Sequence, residues 1–106
     1  MTVIRWTEPA NTDFLGIVEW LSARNPAAAA RVGRRILDAV EMLNDHPYLG
    51  KPGRSLDTRE LGVPDYPYLV VYSVEPAATD SEIGQIAILR VLHGAMRWPP
   101  ADQQSD

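Results

Sequence analysis

A chain of 106 residues, 45% of them apolar, suffices for one domain that buries roughly two-thirds of its unfolded surface without a metal or disulfide staple. It contains no cysteine, which excludes a disulfide framework, a thiol nucleophile and a thiolate zinc site. Ten basic residues stand against 14 acidic ones, for a formal net charge of -4, and neither half of the chain is basic. Affinity for phosphates that rests on counterion release needs an excess of Lys and Arg, so this balance disfavours binding to RNA or to the ribosome.

The opening segment, Met1 to Trp6, has no apolar run long enough for a secretory signal, and no stretch approaches the roughly 20 apolar residues of a membrane span. A cytoplasmic protein with no membrane partner is expected. Thr2 to Trp6 reads as a strand, broken at Thr7-Glu8-Pro9, where Thr7 suits a helix N-cap and Pro9 a first helical turn. Ala10, Phe14, Ile17, Val18 and Leu21 then recur at helical spacing and predict an amphipathic helix ending near Arg24. Asn25-Pro26 starts a second helix with Ala29, Val32, Ile36, Val40 and Leu43 on its apolar stripe. Arg31, Arg34, Arg35, Asp38 and Glu41 turn outward, and His46-Pro47 stops it. So short a link makes the pair an antiparallel hairpin.

The loop Tyr48-Leu49-Gly50-Lys51-Pro52-Gly53-Arg54-Ser55 is too rich in Gly and Pro for a helix or a long central strand. Strands follow at Thr58 to Leu61 and Tyr68 to Tyr72, joined by a turn from Pro64 to Pro67, and a third ends at Ile88 to Leu92. The apolar runs Leu69-Val70-Val71 and Ile86-Ala87-Ile88-Leu89 mark inner strands, with Pro76 to Ser81 as a hairpin loop longer than the tight kind. The helices have only one face of the sheet on which to bury their stripes. The expected fold is α+β: a two-layer β-α-α-β-β-β domain over residues 1–99 with an antiparallel-rich sheet, then a polar, disordered tail over 100–106. The opposite face of the sheet is left open, with polar side chains projecting from it.

The Arg59-Glu60-Leu61 strand, the Pro67-Tyr68-Leu69-Val70-Val71-Tyr72 strand and the ending Leu92-His93-Gly94-Ala95-Met96-Arg97-Trp98-Pro99 are each degenerate alone. In this order and spacing they resemble the RelE/ParE superfamily of bacterial toxins, and the resemblance covers nearly the whole chain. It implies the toxin component of a type II toxin–antitoxin system. The target is a separate question, because members share a fold while acting on different molecules. One branch cuts ribosome-bound mRNA, and the ParE-like branch inhibits DNA gyrase.

Ribonuclease chemistry without metal needs a base for the 2'-hydroxyl, cations for the scissile phosphate and an acid for the leaving oxygen. The candidates are Lys51, Arg54, Arg59, Glu60, Arg90, His93 and Arg97. Under that reading Arg59 and Arg90, on neighbouring strands, hold the phosphate, and His93 titrates near neutral pH. The same residues equally suit structural roles, with Arg59 and Arg90 paired to Glu60 or Glu75 and His93 hydrogen-bonded near a strand end. Departures from the ribonuclease pattern favour the second view. Leu69 stands where many mRNA-cutting relatives carry an Arg. Trp98-Pro99-Pro100 replaces their tail Tyr or His-Tyr pair, and an indole is a poor proton donor to an alkoxide.

The resemblance is closer to the ParE branch, in its acidic balance, depleted basic cluster and long helical hairpin. It implies a gyrase inhibitor that is not an enzyme and uses no cofactor, with Lys51, Arg54, Arg97 and Trp98 contacting the target. The two histidines, His46 and His93, sit on separate elements and offer no metal site. The alternative from another class is a non-toxic binding module kept for its antitoxin complex. Trp6, Trp20, Met42, Tyr48 and Trp98 are large residues only partly used by the helical stripes, and such residues tend to mark interfaces. The ligand the resemblance implies is an antitoxin in a toxin–antitoxin hetero-oligomer. Its disordered C-terminal segment would fold as a helix in the hairpin groove at Trp20, Leu21 and Met42, often with an added strand at the sheet edge.

Overall fold

The computed structural model describes residues 2–76 and 83–94, and of Ile83 the backbone alone. The expected Pro76 to Ser81 loop, the 100–106 tail, and the site candidates Arg97 and Trp98 lie outside these residues. In chain order the elements are β1 (Val3–Trp6), α1 (Glu8–Arg24), α2 (Pro26–Met42), β2 (Lys51–Pro52), β3 (Arg59–Gly62), β4 (Tyr68–Pro76) and β5 (Ile83–His93). The α+β order anticipated from the sequence holds, with one addition. The Gly- and Pro-rich loop contributes β2, a two-residue strand at the sheet edge, where a proline is tolerated because its missing N–H is not needed by a neighbour.

Local chemistry sets the helix ends. The Thr7 hydroxyl accepts from the Ala10 N–H at 3.3 Å, and Glu8 lies in the first turn, where the helix dipole favours an anion. Asn25 serves both helices: its N–H donates to the Leu21 carbonyl, and its Oδ1 accepts from the Ala28 N–H at 3.1 Å. One residue thus closes α1 and opens α2, which folds the two into a hairpin. α2 ends at Met42 and passes into a turn over 43–45, short of the expected stop at His46.

The sheet has the order β1-β5-β4-β3-β2, with β1 parallel to β5 and every other pairing antiparallel. Ala10, Val32, Ile36, Val40 and Leu43 from the helical side meet Val70, Tyr72, Ile86, Ile88 and Val91 from the sheet. Burial of each Val, Leu or Ile side chain among these is worth about 1.5–3 kcal/mol. The α2 stripe is buried as its spacing requires, and Phe14, Ile17 and Leu21 of α1 pack against the same core. Arg35 departs from the expected outward set. It is half-buried, with its guanidinium 5.9 Å from the Tyr66 ring centre and 2.9 Å from Asp65 Oδ2.

The other face of the sheet differs from expectation. Val71, Ala87 and Leu92 alternate with the core-facing residues of β4 and β5, and they are buried too. That face is therefore not an open polar floor. Tyr72, fully buried, ties the sheet to the chain leaving α2: its hydroxyl donates to the Pro47 carbonyl at 2.8 Å and accepts from the Gly50 N–H at 2.9 Å.

Candidate functional site

The described residues named for phosphate chemistry do not converge. Arg59 is on β3 and Arg90 on β5, with β4 between them, so the expected neighbouring strands are two ladder steps apart, about 10 Å. Lys51, Arg54, Arg59 and Glu60 gather at the β2–β3 hairpin. Arg90 and His93 belong to a second cluster beside α1.

In the first cluster every arginine has a structural task. Arg59 Nε and Nη2 donate to the Gly50 carbonyl at 3.0 and 2.6 Å, Nη2 also reaches the Tyr48 carbonyl at 3.2 Å, and the guanidinium lies 5.2 Å from the Tyr48 ring centre. Arg54 grips Glu60 three times, from its backbone N–H at 2.9 Å, Nε at 3.2 Å and Nη2 at 3.3 Å. The Glu60 side chain is 3% exposed. Burial pushes its carboxyl up. The hydrogen bonds from Arg54 and the charges of Arg54 and Lys51 outweigh this and hold it below its ordinary value. Lys51 pairs with Glu60 in the strand register and is exposed. A cleft of about 990 Å³ runs beside this hairpin, between Tyr48, Arg54, Leu56, Arg59 and the end of β4 at Val74 and Glu75.

The second cluster exists because β1 stops at Trp6. Beyond Ile88, no strand among the described residues pairs with β5 on that side, and the start of α1 lies there. The Thr7 hydroxyl donates to the Ile88 carbonyl at 2.8 Å and to that of Leu89 at 3.2 Å, and Asp13 Oδ2 accepts from the Val91 N–H at 3.0 Å. Asp13 also binds Arg90, from Nε at 2.7 Å and Nη2 at 3.1 Å. That hydrogen bonding, opposed by partial burial and reinforced by the Asp13 charge, raises Arg90 above its ordinary value. The partner expected for Arg59 and Arg90 was Glu60 or Glu75. Glu60 holds Arg54 instead, and Glu75 takes Gln85 and lies 3.9 Å from Arg5. The main-chain carbonyls and Asp13 won because they are adjacent in space, although Asp13 is 77 positions from Arg90 in sequence.

A second cleft, of about 640 Å³, lies between α1 (Asp13, Gly16, Ile17, Trp20) and the strand ends at Tyr68 and His93. His93 faces Tyr68 across the β4–β5 ladder with the rings edge to face, 5.5 Å between centres. Trp20 is 57% exposed, with the Arg24 guanidinium 3.8 Å from its ring centre. The residues named for antitoxin contact are thus dispersed. Leu21 is partly buried against the core, and Met42, exposed, lies about 18 Å from Trp20 along the hairpin at 1.5 Å per residue. The groove beside Trp20 is formed by α1 and the sheet, not between the two helices as expected.

Sequence reasoning did not single out Asp13 or Leu56, and used Tyr72 only as part of the strand motif that carries the family resemblance. For Asp13 a signal existed: it lies three residues after Ala10 and four before Ile17, so a carboxylate falls on the buried stripe of α1 and requires a partner. Among the described residues no group of three or more His, Asp or Glu side chains is placed to hold a metal, and no helix is long and apolar enough to cross a membrane.

Three comparisons bear on identity. The family model described as the ParE toxin of the type II toxin–antitoxin system parDE matches residues 4–98. A protein of Sinorhizobium fredii (strain NBRC 101917 / NGR234) named "Putative toxin Y4kP" is 38% identical over 96 residues, covering 91% of this chain and 92% of that protein. A solved structure titled "Chromosomal ParDE TA system from P. aeruginosa" superposes with a TM-score of 0.72 at 22% identity, over 86% of this chain and 94% of that one. The last comparison establishes the shared fold, and the first two establish that this chain belongs to the ParE toxin family of type II toxin–antitoxin systems.

Proposed function

We propose that this chain arrests growth by inhibiting DNA gyrase and is neutralised by a cognate antitoxin in a hetero-oligomer. Membership of the ParE family supports the antitoxin partner, as does the likeness to a structure titled as a ParDE system. The observation that carries the choice of target is the engagement of three of the candidate arginines. Arg54 serves Glu60, Arg59 serves the Gly50 and Tyr48 carbonyls, and Arg90 serves Asp13. A phosphate would have to compete with these short-range partners, and the clusters lie on different strands. Preorganised cation clamps, the usual source of phosphoryl-transfer catalysis, are therefore poorly supported, while inhibition by protein–protein contact requires none.

The test is a pair of assays on purified protein: gyrase supercoiling, and cleavage of ribosome-bound mRNA. Inhibited supercoiling, relieved by the antitoxin encoded next to this chain, is expected. Ribosome-dependent mRNA cleavage with supercoiling untouched would overturn the reading in favour of an endoribonuclease. Failure of growth arrest on expression without antitoxin would reduce the chain to a binding module. For the antitoxin, the α1–sheet cleft beside Trp20 supports docking of an amphipathic helix. Trp20→Glu should weaken that complex by about 2 kcal/mol or more, the cost of losing an aromatic anchor, with the fold unchanged because the indole is mostly exposed. Unaltered affinity in a titration would place the antitoxin elsewhere.

A further inference from the structure

Each helix contains one glycine, and packing within the chain accounts for only one of them. Gly33, buried on α2, faces α1: a Cβ there would touch Val18 Cγ2 at 3.5 Å and Phe14 Cζ at 3.8 Å, so the missing side chain lets the two helices pack closely. Gly16 of α1 is exposed, and a Cβ on it would meet nothing within 4 Å among the described residues. No described glycine has a positive φ, so no left-handed turn requires Gly16 either. A glycine inside a helix is less favourable than alanine, because it loses more backbone freedom on folding. Nothing within the described chain offsets this.

Gly16 stands at the middle of the cleft between α1 and the sheet. Thr12, Gly16 and Trp20 line that cleft at intervals of four residues and so form one stripe along α1, opposite Tyr68, Val91 and His93. An occupant lies along the helix for about 12 Å, at 1.5 Å per residue from Thr12 to Trp20. Its closest approach falls at Gly16, where the backbone of α1 is bare, because the separation of packed helices, about 8–10 Å, is set by the side chains at the contact. Charge marks one end of the stripe. Arg24 lies one turn beyond Trp20, its guanidinium 3.8 Å from the indole centre and its Nη1 donating to the Trp20 carbonyl at 2.9 Å. It has no carboxylate partner among the described residues. Asp13, the acid that lines the cleft, is taken up by Arg90 and Val91, and Glu19 is turned about 100° around the helix from Trp20.

We propose that the antitoxin enters this cleft as a helix lying along α1, with a Gly, Ala or Ser crossing the bare backbone at Gly16 and an Asp or Glu about two turns away pairing with Arg24. Gly16 sets the depth of the dock, and Arg24 its register. The proposal rests on the reading of this cleft as the antitoxin's dock, and adds the chemistry of the segment that enters it.

The experiment measures melting temperature, and affinity for the purified antitoxin encoded next to this chain, in wild type, Gly16→Ala, Gly16→Gln, Arg24→Gln and Trp20→Glu. Both Gly16 substitutions should raise the melting temperature, by about 2–4 °C for alanine, since each introduces a better helix former. Both should weaken the complex, roughly fivefold for Gly16→Ala and roughly a hundredfold for Gly16→Gln, as overpacking of a close contact does. A gain in stability with a graded loss of affinity is a result that a purely structural glycine does not give. Arg24→Gln should weaken binding about fivefold at low salt, and the difference from wild type should shrink at about 0.5 M salt, where exposed charges are screened. Affinity of Gly16→Gln within about threefold of wild type overturns the proposal, as does a lower melting temperature for Gly16→Ala. Equal affinities of wild type and Arg24→Gln at low salt overturn the pairing with a carboxylate. Weakening by Trp20→Glu alone keeps the cleft as the dock and refutes the depth and register assigned to Gly16 and Arg24. A wild-type chain that does not bind the antitoxin refutes the reading of the partner itself, and the proposal with it.

Discussion

Replacement of Tyr72 by Phe removes one oxygen and leaves the fully buried ring in place. Two partners lose their bond: the Pro47 carbonyl, which accepts from the hydroxyl at 2.8 Å, and the buried Gly50 N–H, which donates to it at 2.9 Å. A typical hydrogen bond contributes about 1 kcal/mol net, whereas a buried donor left without a partner costs about 1–3 kcal/mol. The site is crowded, since a Cβ on Gly50 would already lie 2.7 Å from the Glu60 carbonyl and 2.9 Å from the Tyr72 ring, so a water molecule has little room to replace the lost oxygen. The sum is about 2–4 kcal/mol. At about 4 °C per kcal/mol for a domain of this size, the melting temperature should fall by roughly 8–16 °C. Urea unfolding followed by tryptophan fluorescence should give a lower midpoint with an unchanged slope, because the surface exposed on unfolding is the same. A loss below about 1 kcal/mol would show that Tyr72 does not tie the end of the helical hairpin to the sheet and that the 47–50 segment is held by other contacts.

Asp13→Ala should cost about 2–3 kcal/mol, since it takes the acceptor from the Val91 N–H and the Asp13 carboxylate from Arg90, while Asp13→Asn, which keeps an oxygen for Val91, should cost clearly less. Equal losses would locate the stability in the charge and not in the cap on the strand edge. Glu60 makes stability depend on acid in a defined direction. Its folded carboxyl lies below its ordinary value, so its contribution is present above about pH 4.3 and is lost as the pH falls through the folded value, where protonation releases Arg54. Melting curves between about pH 6 and 3 should therefore fall more steeply for wild type than for Glu60→Gln; parallel curves would contradict this. His93→Ala should leave growth arrest intact, and loss of the edge-on contact with Tyr68 should cost about 0.5–1.5 kcal/mol. Loss of arrest with normal folding and antitoxin binding would make His93 a functional residue.

Elements whose signals are local were legible in the sequence. Thr7 and Asn25 announce helix starts because their side chains bond to N–H groups three residues away, and the α2 stripe from Ala29 to Leu43 repeats with the turn of the helix, so its buried face follows from spacing. The runs Leu69 to Val71 and Ile86 to Leu89 mark the two central strands because a strand flanked on both sides has little solvent to face. The order of the last three motifs carried the family. Tertiary structure alone decided which residues meet. No local pattern encodes that β1 lies parallel to β5 and ends at Trp6, yet this ending opens the strand edge that Asp13 caps and brings Arg90 into its ion pair with Asp13. Nor does the sequence rank the acceptors open to a cation. Arg59 turned to the Gly50 carbonyl and Arg54 to Glu60, because the β2–β3 ladder brought those atoms within hydrogen-bonding reach. Leu56, an ordinary loop leucine on paper, became the most exposed large apolar side chain described once that hairpin was locked beneath it. Such contacts depend on the directions of side chains drawn from distant parts of the chain, and those directions exist only once the layers have packed.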